Sequence, residues 1–129
     1  MNTVEYVMQQ LQAELTNNSI RCSLYIAPQD RATPFATINC YAVPRTYTYT
    51  TIHDYVRIQI SVFDNNANVQ PMIELAGTIV DLVEGYSSTN GTITINCVDV
   101  LNQKGPIPAG KEDFNQYIIE LEAKCEKLQ

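Results

Sequence analysis

The chain has 129 residues, the usual size of one domain, and is expected to fold as a single unit over 1–129. Hydrophobic residues make up 45% and charged residues 17% of it, which is too apolar for a disordered chain. Eight Lys plus Arg against fourteen Asp plus Glu leave a formal charge of -6, which removes any general attraction to free nucleic acid or an anionic membrane surface.

The N-terminal region contains Glu5 and three Gln and lacks the basic-then-apolar order of a signal peptide, and no run approaches the roughly 18 apolar residues of a spanning helix. A soluble protein, kept in the cytoplasm of the cell that makes it and without a membrane partner, is the expectation.

Asn2 or Thr3 can cap a helix whose apolar positions Val4, Val7, Met8, Leu11 and Leu15 recur at helical spacing, with Asn17-Asn18 closing it. The period then changes to two. Ile20, Cys22, Leu24 and Ile26 alternate with polar residues and Tyr25 as a half-buried strand that Pro28 ends. After a polar turn over 29–33, Pro34 opens a second strand with Ala36, Ile38, Cys40 and Ala42 on one face and Phe35, Thr37, Asn39 and Tyr41 on the other, until Pro44. Residues 44–54 read as an eleven-residue loop, longer than an ordinary hairpin connection and carrying Tyr47 and Tyr49.

The clearest strand is Tyr55 to Phe63, with Val56, Ile58, Ile60 and Val62 inward and Tyr55, Arg57, Gln59 and Ser61 outward. A turn capped by Asn68 leads into a helix from Val69 to Glu84, with Pro71 in its first turn and Gly85 just past its end. Its apolar stripe is Met72, Leu75, Ala76, Ile79, Leu82 and Val83. Asn90-Gly91 then turns into a strand from Thr92 to Leu101, where the inward register slips from Ile93, Ile95 and Cys97 to Val98 and Val100 and predicts a bulge. From Phe114 on, two periods compete: Phe114, Tyr117, Ile118, Leu121, Cys125 and Leu128 fit a helix, whereas Tyr117, Ile119, Leu121, Ala123 and Cys125 fit a strand.

Residues able to do chemistry are sparse. Cys22, Cys40, Cys97 and Cys125 form no Cys-x-x-Cys pair, and only one histidine is present to help build a metal site, so no zinc or other cofactor is expected. Cys22, Cys40 and Cys97 read as small apolar fillers on inward strand faces, although an even count also permits disulfides. His53 beside Asp54 suggests a base and its orienter, but both fall in the polar loop and no nucleophile elbow exists. Asp64, Asn66 and Asn68 begin like a calcium loop, yet Val69 and Leu75 stand where Gly and Glu are needed. Asn17-Asn18-Ser19 and Asn90-Gly91-Thr92 match the glycosylation triplet and are read as turn chemistry. No catalytic residue is assigned.

The element order is helix, two strands, loop, strand, helix and two strands. The segment 44–50 (Pro-Arg-Thr-Tyr-Thr-Tyr-Thr) feeds the strand 56–63 (Val-Arg-Ile-Gln-Ile-Ser-Val-Phe), followed by a turn and the helix 69–84. Over roughly 3–123 this arrangement resembles the tail terminator, or tail completion, proteins of long-tailed bacteriophages. The resemblance implies an α+β fold, a mostly antiparallel sheet of about five strands with two helices on one face, and a final segment that is a strand beginning near Phe114. It implies a structural virion protein rather than an enzyme. Six copies would form a ring at the head-proximal end of the tail tube, stopping its growth and contacting the tail tube protein and the neck or connector. DNA would only pass through, and assembly would take place in the host cytoplasm.

Eight Tyr against three Phe and no Trp fit that expectation, because tyrosine supplies apolar area with a polar handle. The interface is expected in the loop, at Arg45, Tyr47, Tyr49, Thr50 and His53. Another neck or head-completion adaptor built on a similar module, or a small enzyme pairing a cysteine with His53, are the alternatives.

Overall fold

In a computed structural model, the described residues are 2–24, 34–43, 46–47, 50–64, 69–109 and 114–128. The first element is helix α1 (Thr3–Asn17), where Asn2 Oδ1 accepts from the Glu5 N–H at 2.8 Å and satisfies one of the free donors of the first turn. At the other end the Ile20 N–H bonds the Leu15 carbonyl and the Ser19 N–H that of Thr16. That pair of bonds is a Schellman stop, with Ser19 at φ 62 in the left-handed position that glycine usually takes, and with Leu15 and Ile20 both buried beside it.

Seven strands follow in one sheet: β1 (Cys22–Leu24), β2 (Phe35–Ala42), β3 (Thr46–Tyr47), β4 (Thr51–Asp64), β5 (Ser88–Thr89), β6 (Ile93–Ala109) and β7 (Phe114–Leu128). Helix α2 (Gln70–Val83) lies between β4 and β5. Six strands run in the order β1-β2-β4-β7-β6-β5, and β3 pairs with β4 off that path. The α+β class with two helices is as expected, but two features of the sheet differ. It has more than about five strands because β3 and β5, at two residues each, are too short to show a period. It is mixed because β1 runs parallel to β2, and alternation along a strand carries no information about its neighbour's direction.

The core lies on one sheet face. Val56, Ile58, Ile60 and Val62 of β4 join Ala36, Ile38 and Cys40 of β2 and Ile119, Leu121, Ala123 and Cys125 of β7. Val7, Leu11 and Leu15 of α1 and Met72, Ala76, Ile79 and Val83 of α2 pack into the same cluster. Pro71 opens α2, but its cap residue is Val69 with no side-chain cap bond, and Asn68 lies outside the described residues. Gly85 follows α2 at φ 76, and its N–H bonds the Val98 carbonyl at 2.8 Å, fixing the helix end to β6.

Two stretches in the N-terminal half differ from the sequence reading. The first strand is described over Cys22–Leu24 and does not reach back to Ile20, which belongs to the α1 stop; residues 25–33, which include Tyr25, Ile26 and the predicted turn, lie outside the described residues. The clearest strand starts at Thr51 rather than Tyr55, so Thr51, Ile52, His53 and Asp54 are strand and not loop. Asp54 is 1% exposed because it occupies an inward position, where the Thr3 hydroxyl donates to its Oδ2 at 2.6 Å.

A bulge is present, but between Ile95 and Cys97 and not at the expected slip from Cys97 to Val98; Asn96 is exposed there, and Cys97 is turned to the face opposite Val98. Cys97 is therefore not an inward filler, whereas Cys125 is. The final segment is strand throughout, from Phe114 to Leu128. Flanked by β4 and β6, its residues Ile119, Leu121, Ala123 and Cys125 gain core burial at period two that a helix could not match.

Truncation of Ile60, fully buried at the centre of β4, is expected to cost about 2–5 kcal/mol for Ile60→Ala. Arg57→Ala, which removes a partly exposed ion pair, is expected to cost less than about 1 kcal/mol. Urea melts of both variants give the ranking. Gly105 has φ +142, and a Cβ there would stand 2.9 Å from the Gln116 carbonyl oxygen and 3.0 Å from Tyr117 Cα. Gly105→Ala is expected to destabilise by roughly 1–3 kcal/mol, while Ser19→Gly, which relieves a left-handed serine, should raise the midpoint of the same melt.

Candidate functional site

The second face of the sheet carries neither helix. Alternation along β2, β4, β7 and β6 directs a separate set of side chains to it, and the strand registers align them in rows. One row sets Tyr41 opposite Arg57, Arg57 opposite Glu122, and Glu122 opposite Asp99; the next joins Asn39, Gln59, Glu120 and Asn102. Among the described residues, three ion pairs cross these strands. Arg57 Nε to Glu122 Oε2 is the shortest at 2.7 Å, followed by Lys104 to Glu120 at 3.4 Å and Lys124 to Asp99 at 3.5 Å, and His53 Nδ1 lies 3.8 Å from Glu126 Oε1.

At one end this face is closed by stacking of Phe35 on Phe63, with ring centroids 5.2 Å apart, and by Ser61 accepting from Gln59 and Gln116 side-chain amides at 3.3 and 3.2 Å. Towards the middle it is open. Tyr41 is 59% and Leu101 46% exposed, and together with Arg57, Gln59 and Glu120 they line a shallow groove of about 110 Å³. Beside Gln59 in register, Asn39 keeps a buried Oδ1 with no hydrogen-bond partner among the described residues, an acceptor whose desolvation nothing there offsets. A broad, paired-charge face rimmed by exposed Tyr and Leu suits contact with another protein surface better than enclosure of a small molecule.

The residues expected at the interface are dispersed by comparison. Thr50 is exposed, with its hydroxyl 3.4 Å from that of Thr51. His53 lies on β4, opposite Glu126 of β7 and Thr46 of β3. Tyr47 contributes backbone to β3, opposite Ile52. Arg45 and Tyr49 lie outside the described residues. The structure thus replaces the described part of the loop by a short hairpin, because threonine, tyrosine and isoleucine suit a pleated strand. It also brings His53 onto the same sheet face as Arg57 and Glu122. What the sequence reading missed is this extended face, although the signal was present in the alternation of Tyr55, Arg57 and Gln59 against the inward valines and isoleucines.

The geometry gives little support to a cysteine enzyme. His53 faces Glu126, whereas the neighbouring Cys125 points into the core on the other side of the sheet. Burial pushes the thiols up, to about 11 for Cys22 and about 12 for Cys40 and Cys125. The Cys97 thiol is also raised, by desolvation first and then by Asp99, whose carboxylate lies 3.6 Å from its Sγ. No group of three metal-ligating side chains occurs among the described residues, and no described helix is long and apolar enough to cross a membrane.

No protein-family model matches the chain, and no curated protein sequence matches it. Among solved structures, the fold is similar to that of a chain in the virion of a native gene transfer agent particle, with a TM-score of 0.76 at 16% identity. The match covers 98% of this chain and 99% of that one. The two chains share a fold from end to end.

With thiols at about 11 to 12, a thiol reagent at pH 8 is expected to label Cys22, Cys40 and Cys125 far more slowly than an unfolded control, with rates climbing steeply as pH rises. Because these folded-state values lie above the ordinary 9.0, the thiols contribute stability that is full below pH 9. It is lost as pH rises towards 11 to 12, which alkaline melts would register as a falling midpoint.

Proposed function

We propose that this chain is a structural virion protein that assembles into a ring at the head-proximal end of a phage-type tail tube, ends tube growth and joins the tail to the neck. The observation that carries the reading is the end-to-end likeness of its fold to a chain of a virion particle. The sequence resemblance to tail terminators supplies the finer position and a copy number of six. An enzymatic role is not part of the proposal, since the described thiols are raised, His53 lies on the sheet face opposite the core residues Cys40 and Cys125, and the Cys97 thiol on its own face is directed to Asp99.

Physical features of the surface agree with assembly. The exposed Tyr41 and Tyr55 lie on a sheet face whose charges are already paired, so a partner can cover it without burying an isolated ion. The net charge of -6 keeps passing DNA from adhering to the ring. Tail tube protein and a neck component are the partners that this reading requires.

Light scattering on the purified chain, alone and with purified tail-tube protein, tests it. The expected outcome is a mass of six chains, or a monomer that converts to rings on tubes. A dimer in every condition would overturn the ring. Binding to a connector with no affinity for tubes would instead assign the chain to the neck as an adaptor. Within this reading, Tyr47→Ala combined with Tyr49→Ala is expected to weaken ring formation or tube capping while leaving the melting temperature nearly unchanged.

A further inference from the structure

The sheet ends in two unlike edges. At one end, β1 pairs with β2 and with no other strand among the described residues. At the other, β6 is much longer than the two-residue β5 beside it, which covers only Thr94 and Ile95. The Val98 carbonyl is taken by the Gly85 N–H, and Pro106, which has no N–H, interrupts the edge beyond Gly105. Between these limits Asp99 to Lys104 form a bounded window with no further strand beside it among the described residues, and residues 101–104 are all exposed. Open strand edges are templates for another strand, and this one is bounded on both sides; within it the register with β7 shifts once, between Val100 and Asn102, at the exposed Leu101.

Strand direction selects the occupant. β2, β7 and β6 are reached from β4 by antiparallel steps, so β6 runs with β4 while β2 runs against it, and β1, parallel to β2, also runs against it. When a second copy is placed beside the first with the same face inward and the same end up, its β1 lies antiparallel to the first copy's β6. That is the more favourable pairing, and it joins two different surfaces head to tail, the contact from which closed rings are made. The faces also agree. Ser23, opposite Thr37, lies on the helix-free face, as do Asp99, Asn102 and Lys104. The three residues of β1 fit within the six of the window.

Resting on the ring reading above, we infer that the β6 edge between Asp99 and Lys104 is the docking site for β1 of a neighbouring copy, which extends one sheet from subunit to subunit. The exposed Leu101 would be covered by that contact.

The test uses the whole chain in a Cys97→Ser background, with Ser23→Cys combined in turn with Asp99→Cys, Asn102→Cys and Lys104→Cys. After mild oxidation of assembled rings, at least one combination is expected to give disulfide-linked multimers that extend beyond the dimer, while each single-site variant gives none. A companion variant, Leu101→Lys, is expected to keep the parent's melt and lose ring formation. Rings of full mass with no cross-link in any combination would overturn the edge pairing and leave the ring reading intact. Single β6 cysteines that yield dimers and stop there would overturn it in favour of two β6 edges meeting each other. A parent chain that stays monomeric with and without tubes would overturn the ring and this pairing together.

Discussion

The inward row of β4 is the constraint on which the molecule is built. Val56, Ile58, Ile60 and Val62 are each at most 2% exposed, and they occupy a strand hydrogen-bonded along both edges, to β2 on one side and β7 on the other. Burying four branched side chains in one line requires a cover, which both helices provide from the same side. It also requires that neighbouring strands match the alternation, since a slip of one residue would turn valines and isoleucines outward. The Thr3 to Asp54 bond follows from this register: the alternation that places Val56 inward also places Asp54 inward, and the hydroxyl at the start of α1 is what satisfies it.

Much of this was legible because two periods, 3.6 and 2, are strong where one face is buried. Both helices, the β2 and β4 facings and the existence of a bulge in β6 were readable from apolar spacing, Pro71, Gly85 and Asn90-Gly91, but its position at Asn96 was not. Periodicity failed where it carries no information. It could not show that β1 is parallel to β2, nor detect the two-residue β3 and β5. It treated residues 51–54 as loop because a buried aspartate bonded by a distant threonine leaves no local trace. The C-terminal segment shows the limit most clearly: its helical and extended patterns were nearly equal, and only the positions of β4 and β6 on either side decide between them. The candidate face was legible as alternating polar positions, but its ion pairs depend on cross-strand register, which no single strand specifies.

Charge is divided between the two layers. Neither α1 nor α2 contains a Lys or Arg, while they hold Glu5, Glu14, Glu74 and Asp81. The sheet face has Arg57, Lys104 and Lys124, each held by an acid on an adjacent strand. The helical side therefore carries unbalanced negative charge and repels polyanions, while the sheet side is close to neutral and can approach another protein without long-range repulsion.

The position of β7 sets the order in which the molecule can be made. Of the described elements it is the last to leave the ribosome, yet it lies between β4 and β6, and its Ile119, Leu121 and Ala123 are fully buried. Until those residues emerge, β6 has no partner connecting it to the rest of the sheet, and β4 exposes one complete edge. The nascent chain can therefore form its helices and the β2–β4 pair before β7 emerges, but it acquires its full core only once β7 is available to join the two halves of the sheet.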